Sequence, residues 1–257
     1  MKVNRRGFLK IAGLATLGLV AKPAFDMLSR LNLIKASPAA GTLVGARWAM
    51  VVNLKACRAK DGCRECIDAC HRVHNVPVFG NSKDEIKWIW TIPYDEAFRK
   101  QKHEFTEESL KDSPALVFCN HCDNPPCVSV CPTKATWKRE DGIVMMDYHR
   151  CIGCRYCMAA CPYGSRSFNW RDPRTFISET NPDFPTRTRG VVEKCNFCQE
   201  RLAQGLLPAC VEACPERSLV FGDLGDPNSE VRKILRSYHT IRRKPSLGTK
   251  PEVYYLV

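Results

Sequence analysis

CIGCRYCMAACP, residues 151–162, places four cysteines within twelve positions and follows the last of them with proline. Gaps of two residues separate the first three cysteines, and a gap of three residues precedes the fourth. Two-residue gaps let a tight loop wrap around a corner and point successive sulfurs inward. We expect Cys161 to sit on the helix that follows and to point to the other side, with Pro162 ending that helix. The stretch therefore predicts a multi-thiolate metal centre.

The spacing matches the bacterial ferredoxin pattern C-x2-C-x2-C-x3-C-P, which ligates a [4Fe–4S] cluster. In ferredoxins with two clusters, the fourth cysteine of such a run ligates the neighbouring cluster. The pattern predicts that Cys151, Cys154 and Cys157 hold one cluster and that Cys161 holds the next.

The chain contains sixteen cysteines, and they fall into four sets of four with none left over. Every set ends in C-x3-C, and proline follows directly in three sets, whereas His71 follows the first. Four such sets are a far stronger signal than a single C-x2-C pair. In chain order, motif 1 is Cys57, Cys63, Cys66 and Cys70; motif 2 is Cys119, Cys122, Cys127 and Cys131; motif 3 is Cys151, Cys154, Cys157 and Cys161; motif 4 is Cys195, Cys198, Cys210 and Cys214.

Other uses of cysteine fit less well. Disulfides occur in exported proteins, but C-x2-C-x2-C runs offer poor geometry for several independent bridges. Zinc sites use C-x2-C pairs without explaining four sets ending in C-x3-C. Covalent haem needs C-x-x-C-H, and the nearest string, CIDACH, has one residue too many. A cysteine-rich exported binding module with disulfides or zinc stays open as an alternative of another class.

The charge of the chain indicates which partners to expect. The formal net charge is +12, and residues 1–40 hold seven Lys/Arg against one acid, which leaves +6 on the rest. Such a moderately basic body favours an acidic partner or an anionic membrane surface. No long Lys/Arg run with interleaved aromatics is present, so we expect no nucleic-acid partner.

The N-terminus, residues 1–40, has the architecture of a signal peptide. Arg5 and Arg6 precede an apolar run from Ile11 to Ala21, which is too short to span a bilayer as a helix. NRRGFLK resembles the twin-arginine (Tat) export signal, with Asn4 in place of the usual Ser or Thr. The cleavage position is open, so the segment is either removed or kept as an anchor. We expect export to the periplasmic side and a body peripheral to the membrane.

The four motifs in this order resemble the four-cluster iron–sulfur subunits of dimethyl-sulfoxide-reductase, polysulfide-reductase and NrfC type. The resemblance covers residues 45–225, and the wide gap between Cys198 and Cys210 is typical of the fourth motif there. Within the family, ARWAMVVNLKAC (46–57) and the stretched first motif (57–77) resemble most the DsrO (HmeA) type of sulfur-metabolism complexes. The resemblance implies an electron-transfer subunit that is not catalytic by itself.

The resemblance also implies which cysteines hold each of four [4Fe–4S] clusters, because the family pairs the first motif with the fourth and the second with the third. The first gap of motif 1 is five residues instead of two, which leaves a three-iron cluster or an empty site open at Cys57. The implied sets are site 1, Cys57, Cys63, Cys66 and Cys214; site 2, Cys195, Cys198, Cys210 and Cys70; site 3, Cys119, Cys122, Cys127 and Cys161; site 4, Cys151, Cys154, Cys157 and Cys131.

Partners follow from the same resemblance. The family implies an integral-membrane, quinone-interacting subunit of NrfD/DsrP type, a multihaem cytochrome c partner, and a link to menaquinone and sulfur metabolism. Iron–sulfur subunits of polysulfide, tetrathionate or nitrite reductases, or of a hydrogenase, remain the alternative within the family.

The expected fold class is α+β, with tandem ferredoxin-like units, each holding two clusters and related by pseudo-symmetry, plus insertions. A four-cluster domain should span residues 41–225, with an inner unit at 115–170 and outer motifs at 57–70 and 195–214. A basic C-terminal tail follows at 226–257. Strands are expected at 47–54, at 218–221 and on both sides of a turn within 135–147, and a helix at 229–238.

Overall fold

A computed structural model describes residue 45 and residues 47–101 and 108–257. The expected export signal, residues 1–40, lies outside the described residues. Within the described ranges, no helix combines the length and the apolar composition needed to cross a bilayer.

The described residues form a mixture of short strands and short helices. The strands are β1 (Trp48–Asn53), β2 (Ile89–Pro93), β3 (Pro114–Phe118), β4 (Thr136–Lys138), β5 (Val144–Met146), β6 (Ser167–Phe168), β7 (Val192–Glu193), β8 (Leu219–Asp223), β9 (Thr240–Ile241) and β10 (Val253–Leu256). The α-helices are α1 (Leu54–Arg58), α2 (Glu65–Val73), α3 (Tyr94–Ala97), α4 (Glu108–Lys111), α5 (Pro126–Ser129), α6 (Tyr156–Ala160), α7 (Gln199–Leu202), α8 (Ala209–Glu212) and α9 (Glu230–Ser237). Short 3-10 turns lie at Arg99–Gln101, Pro173–Phe176 and Pro245–Leu247.

A four-stranded sheet with the order β8-β1-β10-β9 holds both ends of the described body together. Strand β1 is antiparallel to β8 and parallel to β10, and its alternating side chains are buried on both faces. Met50 and Val52 face the main core, whereas Ala49 and Val51 pack with Val231 of α9. The basic segment 226–257 thus contributes α9, β9 and β10 to this sheet layer.

Three two-stranded sheets complete the strand pairing of the described residues. The segment between motifs 1 and 2 is rich in aromatic residues and contains β2, which pairs with β3 just before motif 2. Trp88, the residue before β2, is buried. Strands β4 and β5 pair on the two sides of a turn, as the sequence predicted. Gly142 in this turn has a φ of +85°. Strands β6 and β7 bring the end of motif 3 next to the start of motif 4.

The fourth cysteines differ from expectation. Cys70 lies within α2, but Cys131, Cys161 and Cys214 lie just beyond the ends of α5, α6 and α8. The prediction that Cys161 sits on the helix was therefore wrong. Its ψ of 109° is extended, because a residue before proline is disfavoured in the helical region. Cys70 stays helical because His71 follows it instead of proline.

Candidate metal centres

Site 1 is a cavity of about 520 Å³ lined by the four predicted thiols Cys57, Cys63, Cys66 and Cys214. Cys57 comes from α1 and Cys66 from α2, and the five-residue gap between Cys57 and Cys63 turns back between these helices. Asn53 caps α1 by accepting a hydrogen bond from the Ala56 amide at 3.0 Å. The stretched gap therefore still brings Cys57 to the cavity.

The thiols of site 1 hinder one another's ionisation. Burial, together with the neighbouring thiols of Cys57, Cys214 and Cys63, raises the pKa of Cys66 to about 12. The Ser218 hydroxyl oxygen lies 3.0 Å from the Cys214 sulfur, and the Ser218 backbone N–H donates to the same sulfur at 3.3 Å. A positively charged metal centre would relieve the repulsion between thiolates, so the donor set fits a thiolate-ligated group.

Site 2 gathers Cys195, Cys198 and Cys210 of motif 4 around Cys70. Burial and then the thiols of Cys198, Cys195 and Cys210 raise the pKa of Cys70 well above its usual value. The wide gap before Cys210 folds into α7 and a turn that leads back into α8. Backbone N–H groups face the sulfurs, from Phe197 to Cys195 at 3.5 Å and from Ala209 to Cys198 at 3.4 Å.

Site 3 is a small, buried cavity lined by the predicted thiols of motif 2 and by Cys161 of motif 3. Burial and the thiol of Cys119 raise the pKa of Cys122 to about 12. The Arg166 guanidinium donates to the Cys127 sulfur at 3.0 Å. The four lining cysteines are Cys119, Cys122, Cys127 and Cys161.

Site 4 is a second small cavity, lined by Cys151, Cys154 and Cys157 together with Cys131. Cys154 is exposed, so this site reaches the surface. Gly153, with a φ of +69°, is required here, because a Cβ would lie 2.4 Å from the carbonyl oxygen of Gly190.

The four sites form a row. Cys66 of site 1 and Cys70 of site 2 lie one turn apart on α2, where side chains four residues apart are neighbours. Lys194 donates to the carbonyl oxygen of Cys195 in site 2 and to that of Val144, which lines site 3. Cys127 of site 3 and Cys157 of site 4 lie in the same buried cluster. The order along the molecule is therefore site 1, site 2, site 3, site 4.

All sixteen cysteines lie in the described residues, and all are free thiols. The ligand assignment to individual clusters stays a prediction that the gathered thiols support.

The sequence did not single out three buried basic residues around the cysteines, Arg166, Lys194 and His121, which are 4%, 1% and 1% exposed. Burial and the nearby Lys194 and Arg166 charges lower the pKa of His121 well below its usual value. Its Nδ1 accepts the Val144 amide at 3.1 Å, and the ring stacks on Phe197. The sequence could have indicated these residues only by their closeness along the chain to the motifs, since each lies within five residues of a motif cysteine.

His74 has a structural, hydrogen-bonding role. Its Nδ1 lies 2.9 Å from the Cys70 carbonyl oxygen and its Nε2 lies 2.8 Å from Glu200. The ring also stacks on Trp88. His74, Cys198 and Glu200 are close enough to hold a metal ion, but hydrogen bonds already account for the histidine.

A further cavity, of about 400 Å³, lies beside site 2 and outside the cysteine sets. Trp137, Tyr148 and Phe184 line its apolar part, and Arg187 lies in its wall. Arg187 is fully buried and paired with Glu193 at 2.6 Å.

Comparison with known proteins agrees with this geometry. A family model described as a 4Fe-4S dicluster domain matches residues 115–176 and 182–224. The chain is 41% identical to the Hdr-like menaquinol oxidoreductase iron-sulfur subunit 1 of Archaeoglobus fulgidus, over 98% of this chain and 97% of that protein. It is 41% identical to NrfC of Escherichia coli, over 99% and 95% of the two chains. It is 38% identical to the iron-sulfur cluster-binding subunit of menaquinone reductase from Nitratidesulfovibrio vulgaris, over 82% and 88%.

Proposed function

This chain belongs to the family of iron–sulfur subunits with 4Fe-4S dicluster domains, and we propose that it conducts electrons along four clusters between two partner proteins. As a member of this family it is an electron-transfer subunit with several [4Fe–4S] clusters. The proposal adds the number of clusters, the cysteines that hold each one, and the order in which electrons pass.

The observation that carries the proposal is the row of four cysteine sets, each combining three thiols of one motif with the last thiol of another. Sites 1 to 4 hold one cluster each, with the ligands stated in the sequence analysis and with Cys57 as a full ligand of site 1. A bound [4Fe–4S] cluster takes up and releases one electron at a time. The chain's residues hold neighbouring sites close together and exclude water from the middle of the row.

The proposed symmetry follows from the same sets. Motifs 2 and 3 supply sites 3 and 4, and motifs 1 and 4 supply sites 1 and 2. Each pair corresponds to one ferredoxin-like unit with two clusters, so the domain at 41–225 consists of two such units related by pseudo-symmetry.

The two ends of the row differ in surface chemistry. Around the exposed Cys154 of site 4, the side chains of Ile152, Tyr156 and Trp170 are 67%, 64% and 46% exposed. Around site 1, the rim carries charges of both signs, with Lys60 and Arg64 paired to Glu65 and Asp68 and with Asp61 and Glu216 in the lining. Exposed apolar and aromatic side chains are typical of the centre of a stable interface.

Site 4 therefore faces the integral-membrane, quinone-interacting subunit, and the charged rim of site 1 faces a redox protein such as a multihaem cytochrome c. The names of two relatives, a menaquinol oxidoreductase and a menaquinone reductase, support a menaquinone-linked complex. We place the subunit in a sulfur-metabolism complex on the resemblance of its first motif. The chain is not catalytic by itself, because every proposed iron has a protein thiolate and the chemistry belongs to its partners.

The Tat-like NRRGFLK supports export in a folded state, with clusters inserted beforehand. The subunit then lies on the periplasmic side, peripheral to the membrane. Fusion of residues 1–40 to a reporter that is active only after export tests this position, and substitution of Arg5 and Arg6 by Lys should abolish export.

The deciding experiment measures iron and acid-labile sulfide in protein purified without oxygen, with an EPR spectrum after reduction. About sixteen of each per chain and magnetically coupled signals would support four cubane clusters. About twelve to fifteen iron would indicate an incomplete site 1. Zinc in place of iron in a colourless, folded protein would contradict electron transfer and leave the zinc-binding module.

A further inference from the structure

Two buried cations lie inside the row of sites. They are Arg166 and Lys194, which are 4% and 1% exposed. In the part of the chain that the structure describes, neither forms an ion pair with a carboxylate, and the groups that favour their charged forms are cysteine sulfurs. A buried, unpaired charge is costly, so these cations need anionic partners inside the protein.

Arg166 lies between sites 3 and 4. Its Nη2 donates to the Cys127 sulfur at 3.0 Å and to the Thr136 hydroxyl at 2.8 Å. Burial raises the pKa of Cys157 of site 4, and the positive charge of Arg166 opposes that rise. The guanidinium thus acts on thiols of both sites.

Lys194 lies between sites 2 and 3. Its Nζ donates to the carbonyl oxygen of Cys195 at 2.7 Å and also to that of Val144. The two carbonyls fix the ammonium group in the interior. Burial lowers the pKa of Lys194, and the thiols of Cys119 in site 3 and Cys195 in site 2 oppose that shift.

Site 3 is therefore flanked by both cations, whereas site 2 is not. Site 2 has Lys194 on one side and the carboxylate of Glu200 on the other, where Glu200 acts on Cys198 and Cys195. Glu200 is held there by His74 and by Asn196, each at 2.8 Å. Asp123 follows a ligand of site 3 in sequence, but its carboxylate lies near the surface.

We propose that Arg166 and Lys194 raise the reduction potential of site 3 and hold it above the potential of site 2. The proposal rests on the proposed function, since it concerns clusters bound at these sites. Reduction adds negative charge to a cluster, and a fixed positive charge nearby favours the reduced form most where solvent screening is weak. An electron that has reached site 2 is thus drawn towards site 3.

The test is a redox titration of the intact, iron-loaded protein, followed by EPR, with each signal assigned through a cysteine variant of its site. Arg166→Gln should lower the potentials of sites 3 and 4 and leave site 1 unchanged. Lys194→Met should lower the potentials of sites 3 and 2. We expect each variant to change the ratio of reduced to oxidised site 3 at least tenfold, which is 59 mV for one electron.

Arg150→Gln is the matched control, because Arg150 precedes a ligand of site 4 but its side chain is 66% exposed. Its effect on every potential should be much less than tenfold, since solvent and salt screen exposed charges. Arg166→Lys, which keeps the charge, should leave the potential of site 3 near that of the unmodified protein.

An unchanged potential at site 3 in Arg166→Gln with full iron content would overturn the proposal. If Arg166→Gln loses iron, an unchanged potential of site 3 in Lys194→Met would overturn the proposal instead. A potential of site 2 above that of site 3 in the unmodified protein would also overturn the proposal. Absence of iron from the unmodified protein would instead refute the proposed function itself.

Discussion

Cys66 and Cys70 lie one turn apart on α2, and they belong to different sites. Both are buried, and Cys66 interacts with the thiols of Cys57 and Cys214, whereas Cys70 interacts with those of Cys198 and Cys195. One helix of nine residues therefore joins two centres of the row.

Serine substitution should separate these two centres. Cys66→Ser should alter the EPR signal of site 1 alone, and Cys70→Ser that of site 2 alone, because each variant removes a thiolate from one set. Each should lose between about one and about four iron atoms per chain, depending on whether a three-iron cluster persists. The measurement is iron content with EPR of the reduced protein. If both variants changed the same signal, the assignment of the two cysteines to separate sites would be wrong.

The length of α2 gives a second prediction. His71→Pro should shorten the helix at Cys70, because proline lacks the backbone N–H and disfavours a helical conformation in the residue before it. We expect a loss of about 3 kcal/mol in the free energy of unfolding and loss of the site 2 signal. Chemical denaturation and EPR would measure the two effects.

His71→Ala is the matched control for that variant. Among the residues that the structure describes, none is a hydrogen-bond partner of the buried Nε2 of His71, and alanine favours the helix, so α2 and site 2 should persist. Loss of the site 2 signal in His71→Ala as well would show that the imidazole, rather than the backbone, supports the site.

The contrast between His71 and the three prolines also shows what sequence reasoning can reach. Spacing predicted that the first three cysteines of motif 3 would meet, because short gaps permit few arrangements of the backbone, and the family resemblance implied which motifs share their cysteines. The strand 48–53, the hairpin of β4 and β5, and α9 followed from patterns of apolar residues and a turn. The prediction that Cys161 lies on a helix was wrong, because Pro162 disfavours a helical conformation in the residue before it.

Other features depend on contacts between distant segments, which no local pattern contains. The pairing of β10 with β1 joins residues about two hundred positions apart. No local pattern distinguishes Arg166 and Lys194 from surface cations, and the packing of motifs 2, 3 and 4 buries them. The same holds for the carboxylate of Glu200 beside site 2.

The turn at Gly153 gives a third prediction. Gly153→Ala should destabilise the fold around site 4, because the added Cβ would meet the Gly190 carbonyl oxygen at 2.4 Å in a left-handed backbone conformation. The expected loss exceeds the ~1–2 kcal/mol of left-handed strain alone and includes iron from site 4. Denaturation curves and iron content would measure both.

Gly164→Ala separates strain from collision in that experiment. Gly164 has a φ of +66°, but no atom of the described ranges lies within 4 Å of an added Cβ. Its cost should stay near ~1–2 kcal/mol, with the iron content unchanged. Equal effects of the two variants would mean that the approach of Gly190 to the cysteine loop does not matter.

The apolar surface at site 4 gives the last prediction. Trp170 stacks edge-on against Phe168 with Arg155 over its ring, yet it is 46% exposed beside the exposed Cys154. If this surface docks on the membrane subunit, Trp170→Ala should weaken the complex about tenfold or more, since truncating a central aromatic costs about 2 kcal/mol. Iron content and the four potentials should stay unchanged, because the side chain is uncharged and is not one of the proposed ligands. The measurement is the fraction of subunit that remains with the membrane complex through purification, alongside electron transfer from a menaquinol.

Tyr238→Ala is the matched control and should retain the complex. It removes an aromatic side chain that is 59% exposed at the end of α9. Retention of the complex in Trp170→Ala together with its loss in Tyr238→Ala would move the membrane interface from site 4 to the C-terminal helix.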